Sequence, residues 1–203
     1  MPSFLAPASP PIAVVVEDFY ADPDEVRAFA LAQEFRPDPA RHKGERSTSR
    51  FLWPGVKERF EAILGVEVTE WEQYGWNGVF QFCVGTDEIV FHSDLQRWAG
   101  VVFLTPDPPP DAGTTLYRSR ATKGRTVGES LARGAPATPG EVEHAMYDGK
   151  LLDPAAWEPV DVLGNVYNRL VLWDARMVHA ASSYFGAARD DARLFQMFFF
   201  DSC

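Results

Sequence analysis

The sequence predicts a mainly β protein, a many-stranded barrel or jelly roll with helices packed outside, and three observations predict it. From Glu67 onward apolar residues recur with a period of two, in short runs rich in β-branched and aromatic side chains. Glycine- or proline-containing turns separate these runs. Ahead of them stand two stretches with helical spacing and helix-terminating residues.

Taken in order, residues 12–16 (IAVVV) read as a short buried strand. Asp22, Pro23 and Glu25 supply an N-cap, a proline at the first helical position and an acid three residues after the cap. Val26, Phe29 and Ala30 give the helix that follows its apolar stripe. The charged and proline-rich segment from Arg36 to Arg50 reads as a loop. A second helix is predicted from about Pro54 to Leu64, with Val56, Phe60 and Ile63 on one side and Gly65 as its stop. The predicted strands are then VEVTEW, NGVFQFCV, EIVFH, GVVFL and TTLYR, and after a gap DVLGNV, RLVLW and RLFQMFFF. The gap, 119–159, is small, polar and rich in proline and glycine, with a helix start at Thr138-Pro139-Gly140-Glu141. It is too long for a hairpin loop and reads as an insertion over one barrel mouth. The expected organisation is an N-terminal extension of helix and strand, 1–75, packing on a core of 76–203.

Composition narrows the class of function. The chain has 203 residues, 46% of them hydrophobic, enough for one sizeable core. A net charge of -10 disfavours nucleic acid and acidic membranes, and the basic run Arg41 to Arg50 is short and interrupted by Glu45. It reads as a solvated or substrate-facing loop. Two cysteines, Cys83 in an apolar run and Cys203 at the last position, fit a reducing compartment better than a disulfide. The first residues lack the pattern of a secretory signal, so a cytoplasmic location is expected.

One local pattern carries chemistry. His92 and Asp94 close the EIVFH run, and residues two apart on an extended backbone point the same way, so both can bind one ion. His179 follows the RLVLW strand and a short turn. Two imidazoles and a carboxylate occupy one face of an octahedron and leave three positions open, the arrangement of non-haem iron(II) sites. Arg193, fourteen residues after His179, heads the final strand, and a guanidinium there offers a buried dianion a planar two-donor fork. It could instead pair with Asp190 or Asp191. His42 and His144 lack such settings and are set aside. Trp76, Asn77, Trp98 and Tyr117 could shape a pocket or simply pack. Ser93, Asp174 and His179 could in principle form a hydrolase triad, but no G-x-S-x-G elbow accompanies them.

The segments FQFCVGTDEIVFHSD, AGVVFLTPD, AGTTLY, YNRLVLWDARMVHAA and ARLFQMFFF, in this order between Asn77 and Asp201, resemble the double-stranded β-helix of the prolyl-hydroxylase-like group of Fe(II)/2-oxoglutarate oxygenases. They span about two-thirds of the chain. The resemblance implies iron(II) held by His92, Asp94 and His179, with 2-oxoglutarate and dioxygen as cosubstrates. It also implies Arg193 and Thr115 on the distal carboxylate of 2-oxoglutarate, and succinate and CO2 as co-products. The substrate it implies is an amino-acid or peptidyl side chain or a small metabolite, hydroxylated rather than halogenated because Asp94 is present. Three positions depart from the pattern. Cys83 stands where many relatives have a tyrosine, Ala112 where a first glycine is usual, and the interval from Asp94 to His179 is long. The alternatives are a cupin-like metal enzyme that ignores 2-oxoglutarate and a non-catalytic barrel that binds without turnover.

Overall fold

The computed structural model describes residues 11–37, 44–133 and 137–203; His42 and the start of the basic run lie outside them. The chain opens with β1 (Ala13–Val16) and α1 (Pro23–Leu31), whose first turn is capped by the Asp22 carboxylate accepting from the Glu25 amide at 3.0 Å. The segment expected as a loop instead contains two strands, β2 (Phe35–Pro37) and β3 (Glu45–Arg50). The correction has a clear cause. ERSTSR lies toward the edge of the sheet, where polar residues are tolerated, and this hides its pairing. Next come α2 (Val56–Leu64), stopped by Gly65 in a left-handed conformation, and β4 (Val68–Thr69).

The core strands are β5 (Val79–Cys83), β6 (Trp98–Phe103) and β7 (Thr114–Ser119). The EIVFH run does not become a strand; it is extended, with a single bridge between His92 and His179. Segment 119–159 carries α3 (Val127–Ala132) and α4 (Pro139–Tyr147), the latter begun by a full capping box between Thr138 and Glu141. A single 3-10 turn, Pro154–Ala156, leads into β8 (Trp157–Leu163), followed by β9 (Leu170–Asp174), β10 (His179–Ala181) and β11 (Arg193–Ser202).

Among the described residues these strands form two sheets. The larger has the order β1-β9-β6-β11-β5-β3-β2, with β4 also paired to β11; the smaller is β10-β7-β8. The segment before residue 76 therefore contributes β1, β2, β3 and β4 to the large sheet itself. Strand alternation gives that sheet two unlike faces. Leu194, Phe198 and Phe200 of β11 pack outward with Phe60 of α2, Ala30 of α1, and Phe80 and Phe82 of β5. Phe195 and Met197 face inward with Val101, Trp173 and Leu116. Cys83 is buried and Cys203 exposed, and both are free thiols. No helix among the described residues is long and apolar enough to cross a membrane.

Candidate metal centre and its cavity

The inward face of the large sheet and the smaller sheet enclose a cavity of about 460 Å³. His92, Asp94 and His179 all line it, and one ligand atom from each lies within 4.8 Å of the others. The bridge between His92 and His179, amide to carbonyl at 3.1 and 2.8 Å in the two directions, joins the two stretches of chain. The ring centroids are consequently 4.4 Å apart. The Asp94 carboxylate reaches both, 3.9 Å from His92 Nε2 and 3.4 Å from His179 Nε2.

Backbone carbonyls orient both rings. His92 Nδ1 lies 3.0 Å from the Val90 carbonyl and His179 Nδ1 lies 2.9 Å from the Met177 carbonyl. A carbonyl can only accept, so each Nδ1 carries a proton, and each Nε2 is directed at Asp94 and the cavity. Burial and the facing His179 ring together push the His92 pKa down to about 4, which keeps that ring neutral and able to ligate. Two imidazoles with Nε2 directed inward, plus one carboxylate, form a donor set suited to a divalent transition metal.

Arg193 lines the same cavity and is 3% exposed. Its Nε donates to the Ala112 carbonyl at 2.9 Å and one terminal nitrogen to the Gly113 carbonyl at 3.2 Å. Its guanidinium lies 4.5 Å from the Phe195 ring centroid, 5.2 Å from Phe103 and 5.8 Å from Tyr184. Among the described residues no carboxylate lies within ion-pair distance of it. Asp191 instead accepts from the amides of Ala187 and Ala188. Burial lowers the Arg193 pKa, yet it stays a cation at neutral pH. A buried charge held by carbonyls, one hydroxyl and ring faces is costly, and an anionic ligand would offset that cost. Gly113 is needed for this cradle, because a Cβ there would come within 1.9 Å of the Leu163 carbonyl.

Thr115 does not fulfil its expected contact. Its hydroxyl lies 2.7 Å from Ser182 Oγ, and it is Thr114 that lines the cavity, with Oγ1 3.5 Å from Arg193. Successive residues of β7 face opposite ways, and the phase of that alternation is one residue off the expectation. Of the aromatic candidates, Trp76 lines the cavity. Trp98 packs in the outer core and donates to Ser202, Asn77 ties its carboxamide to backbone groups, and Tyr117 packs edge-on against Phe91. Cys83 pairs across from Arg193 and its sulfur accepts from Gln81, while burial pushes the thiol pKa up.

A hydrolase triad is excluded by the same geometry. His179 Nδ1 meets Met177 rather than Asp174, Asp174 is engaged by Arg97 and Arg176, and Ser93 Oγ accepts from the Tyr147 hydroxyl at 2.7 Å. His144 lies exposed on α4 beside Asp148. Among the described residues of segment 119–159 none lines the cavity; Val142, Met146 and Trp157 pack against Phe91, Val178 and Ala180, directly behind the stretches that carry His92 and His179. Sequence reasoning missed Arg46, Gln81, Gln96 and Tyr184, all of which line the cavity. Arg46 carried a signal as part of the basic run read as solvated or substrate-facing, and Gln81 as a polar residue between two phenylalanines of a strand buried throughout.

Compared with known proteins, the sequence matches no family model and no curated protein. The fold does match solved structures. HygX from Streptomyces hygroscopicus with nickel, 2-oxoglutarate and hygromycin B bound aligns with a TM-score of 0.54 at 11% identity, over 94% of this chain and 82% of that one. HygX with nickel and 2-oxoglutarate gives 0.51, and with iron 0.50, at the same identity and coverage. The chain therefore has the double-stranded β-helix fold of the Fe(II)/2-oxoglutarate-dependent oxygenases.

Proposed function

We propose that the protein is an Fe(II)- and 2-oxoglutarate-dependent oxygenase that hydroxylates a small metabolite or an amino-acid or peptidyl side chain in the cytoplasm. The observation that carries this reading is the coexistence in one cavity of a convergent His92–Asp94–His179 donor set and a buried guanidinium without a carboxylate partner among the described residues. A metal binder alone has no use for Arg193, whereas an oxygenase of this kind needs a cation for a dianionic cosubstrate.

His92 and His179 would bind the metal through Nε2 and Asp94 through a carboxylate oxygen. The metal would supply binding sites for 2-oxoglutarate and dioxygen and the oxidising power for C–H hydroxylation, with succinate and CO2 as co-products. Arg193 would hold the distal carboxylate, with the Thr114 hydroxyl beside it. Phe195, Met197 and Phe199 line the cavity with apolar surface and would exclude bulk water from the reacting centre. The narrower assignment to the prolyl-hydroxylase-like group rests on the order of the sequence motifs. Two free thiols suit a reducing compartment.

The decisive measurement is anaerobic titration with iron(II) and 2-oxoglutarate. A weak visible charge-transfer band is expected from wild type, together with succinate formation once oxygen is admitted. If wild type binds iron and consumes oxygen with no dependence on 2-oxoglutarate, the cupin-like alternative replaces this reading.

A further inference from the structure

The cavity wall carries two polar groups that the oxygenase reading does not use. Gln96 is 6% exposed and lines the cavity, yet its carboxamide makes no hydrogen bond to any described residue. Trp173, on β9, is 4% exposed and lines the same cavity, and its buried indole N–H finds no acceptor among the described residues. Its ring lies beside that of His179, with centroids 5.1 Å apart. Buried polar groups are rarely left unmatched, and two in one cavity point to a ligand that meets them.

Backbone pairing fixes their places. The Ala175 carbonyl accepts from the Asp94 amide at 2.8 Å, and the Ala175 amide donates to the Arg97 carbonyl at 3.1 Å. Leu95 and Gln96 are therefore looped out opposite Ala175. Leu95 turns to solvent, 95% exposed, and Gln96 turns in. Trp173 stands two residues before Ala175 and pairs with Ala99 of β6. One group thus follows Asp94 closely and the other lies against His179.

Their hydrogen-bonding valence says what the ligand brings. Trp173 Nε1 only donates, while the Gln96 amide has one donating end and one accepting end. A carboxylate, ester or ketone offers acceptors alone and leaves Gln96 Oε1 bare; an ammonium offers donors alone. One hydroxyl oxygen cannot meet both ends of the Gln96 amide with near-linear bonds. A second amide can, if its C=O and N–H lie on the same side, because its oxygen and nitrogen have the same spacing as those of Gln96. The remaining lone pair of its oxygen then serves Trp173. A trans peptide bond turns its C=O and N–H to opposite sides and does not fit.

Resting on the oxygenase reading, we infer that the substrate is a small molecule carrying a primary carboxamide or a lactam. That group pairs with both ends of the Gln96 carboxamide, and its oxygen also accepts from Trp173 Nε1. The pairing holds the substrate beside His92, Asp94 and His179 without using charge.

The test is calorimetric titration of the protein loaded with zinc(II) and 2-oxoglutarate, repeated without additions. The probes are the primary amides of the L-amino acids, and 2-pyrrolidone for the lactams. Each is matched with the methyl ester or lactone of the same skeleton, which keeps the carbonyl and loses the N–H, and each primary amide also with its trans N-methylamide. At least one primary amide or lactam is expected to bind, with its ester or lactone about tenfold weaker. A trans N-methylamide should be as weak as the ester. Gln96→Met should abolish the difference between amide and ester, whereas Trp173→Phe should weaken both by the same several-fold factor. A cooperative thermal melt identifies the folded variants, and if one variant fails to fold, the wild-type contrast and the other variant decide. The inference is overturned if no amide or lactam binds, if amides and esters bind alike, if Gln96→Met keeps the difference, or if Trp173→Phe loses 2-oxoglutarate instead. Failure of wild type to bind 2-oxoglutarate sinks the oxygenase reading alone, because the amide–ester contrast without additions still decides the role of Gln96 and Trp173.

Discussion

The two faces of β11 lie a few ångströms apart and do opposite work. Outward, Phe198 and Phe200 meet Phe60, with ring centroids 4.9 and 5.0 Å apart, and Trp71 stacks on Phe198. This face is dry, aromatic and closed. Inward, Arg193, Phe195, Met197 and Phe199 border the cavity together with His92, Asp94 and His179. The outward face supplies stability through buried area, and the inward face keeps a buried cation and open volume that subtract from it. The strand is thus stabilised on one side so that it can carry cost on the other.

Substitutions on either face can break or sharpen this contrast. The largest effect is expected from His179→Ala, which removes one of the three proposed metal ligands. The iron-dependent visible band and succinate formation should vanish while the melting temperature of the metal-free protein changes little, since the neighbouring rings and backbone bridge remain. A large loss of metal-free stability would show instead that the inward face is also a structural core.

On the outward face, Phe60→Ala deletes a fully buried ring in contact with Phe19, Trp71, Phe198 and Phe200. It should cost about 3–5 kcal/mol in denaturant unfolding, with the affinity of the remaining folded protein for 2-oxoglutarate unchanged. If affinity falls in step with stability, the two faces are coupled rather than separate.

Arg193→Met separates binding from stability most directly. Loss of a charge-assisted contact should weaken 2-oxoglutarate by about 2–3 kcal/mol, on the order of a hundredfold. Replacing the buried cation with an apolar chain should leave unfolding stability equal or higher. Isothermal titration and thermal melting on one preparation decide between these and a purely structural arginine.

The smallest effect is expected in the segment behind the triad. Thr138→Ala removes the α4 capping box and should cost about 1 kcal/mol, read as an earlier melting transition, with metal affinity little changed. A marked loss of metal affinity would mean that α4 tunes the His92–Asp94 stretch through the Tyr147 hydroxyl on Ser93.

Much of the site was legible because its rules are local. The spacing of His92 and Asp94 needs only an extended backbone, and the caps at Asp22 and Thr138 need only one turn of helix. Where the reading failed, the missing information was non-local. Thr114 and Thr115 are chemically identical neighbours, and only the pairing of β7 with β10, His179 opposite Leu116 and Ala180 opposite Thr115, sets which one faces the cavity. ERSTSR reads as a loop because nothing in it shows that β5 lies alongside. EIVFH has strand composition but meets only one bridging partner among the described residues, so it stays irregular and leaves Val90 and His92 turned toward the cavity.

By itself the sequence determined the mainly β character, the helix starts and which side chains could serve as metal ligands and as a cation at the head of the last strand, since side-chain type and short-range periodicity encode these. The tertiary structure alone decided that Val142, Met146 and Trp157 pack behind the His92 and His179 stretches, that Thr114 rather than Thr115 lines the cavity, and that Arg46 and Gln96 share it. The reason is physical: which face of a strand looks inward depends on the register of its neighbours, and that register is set by contacts between residues far apart in the chain.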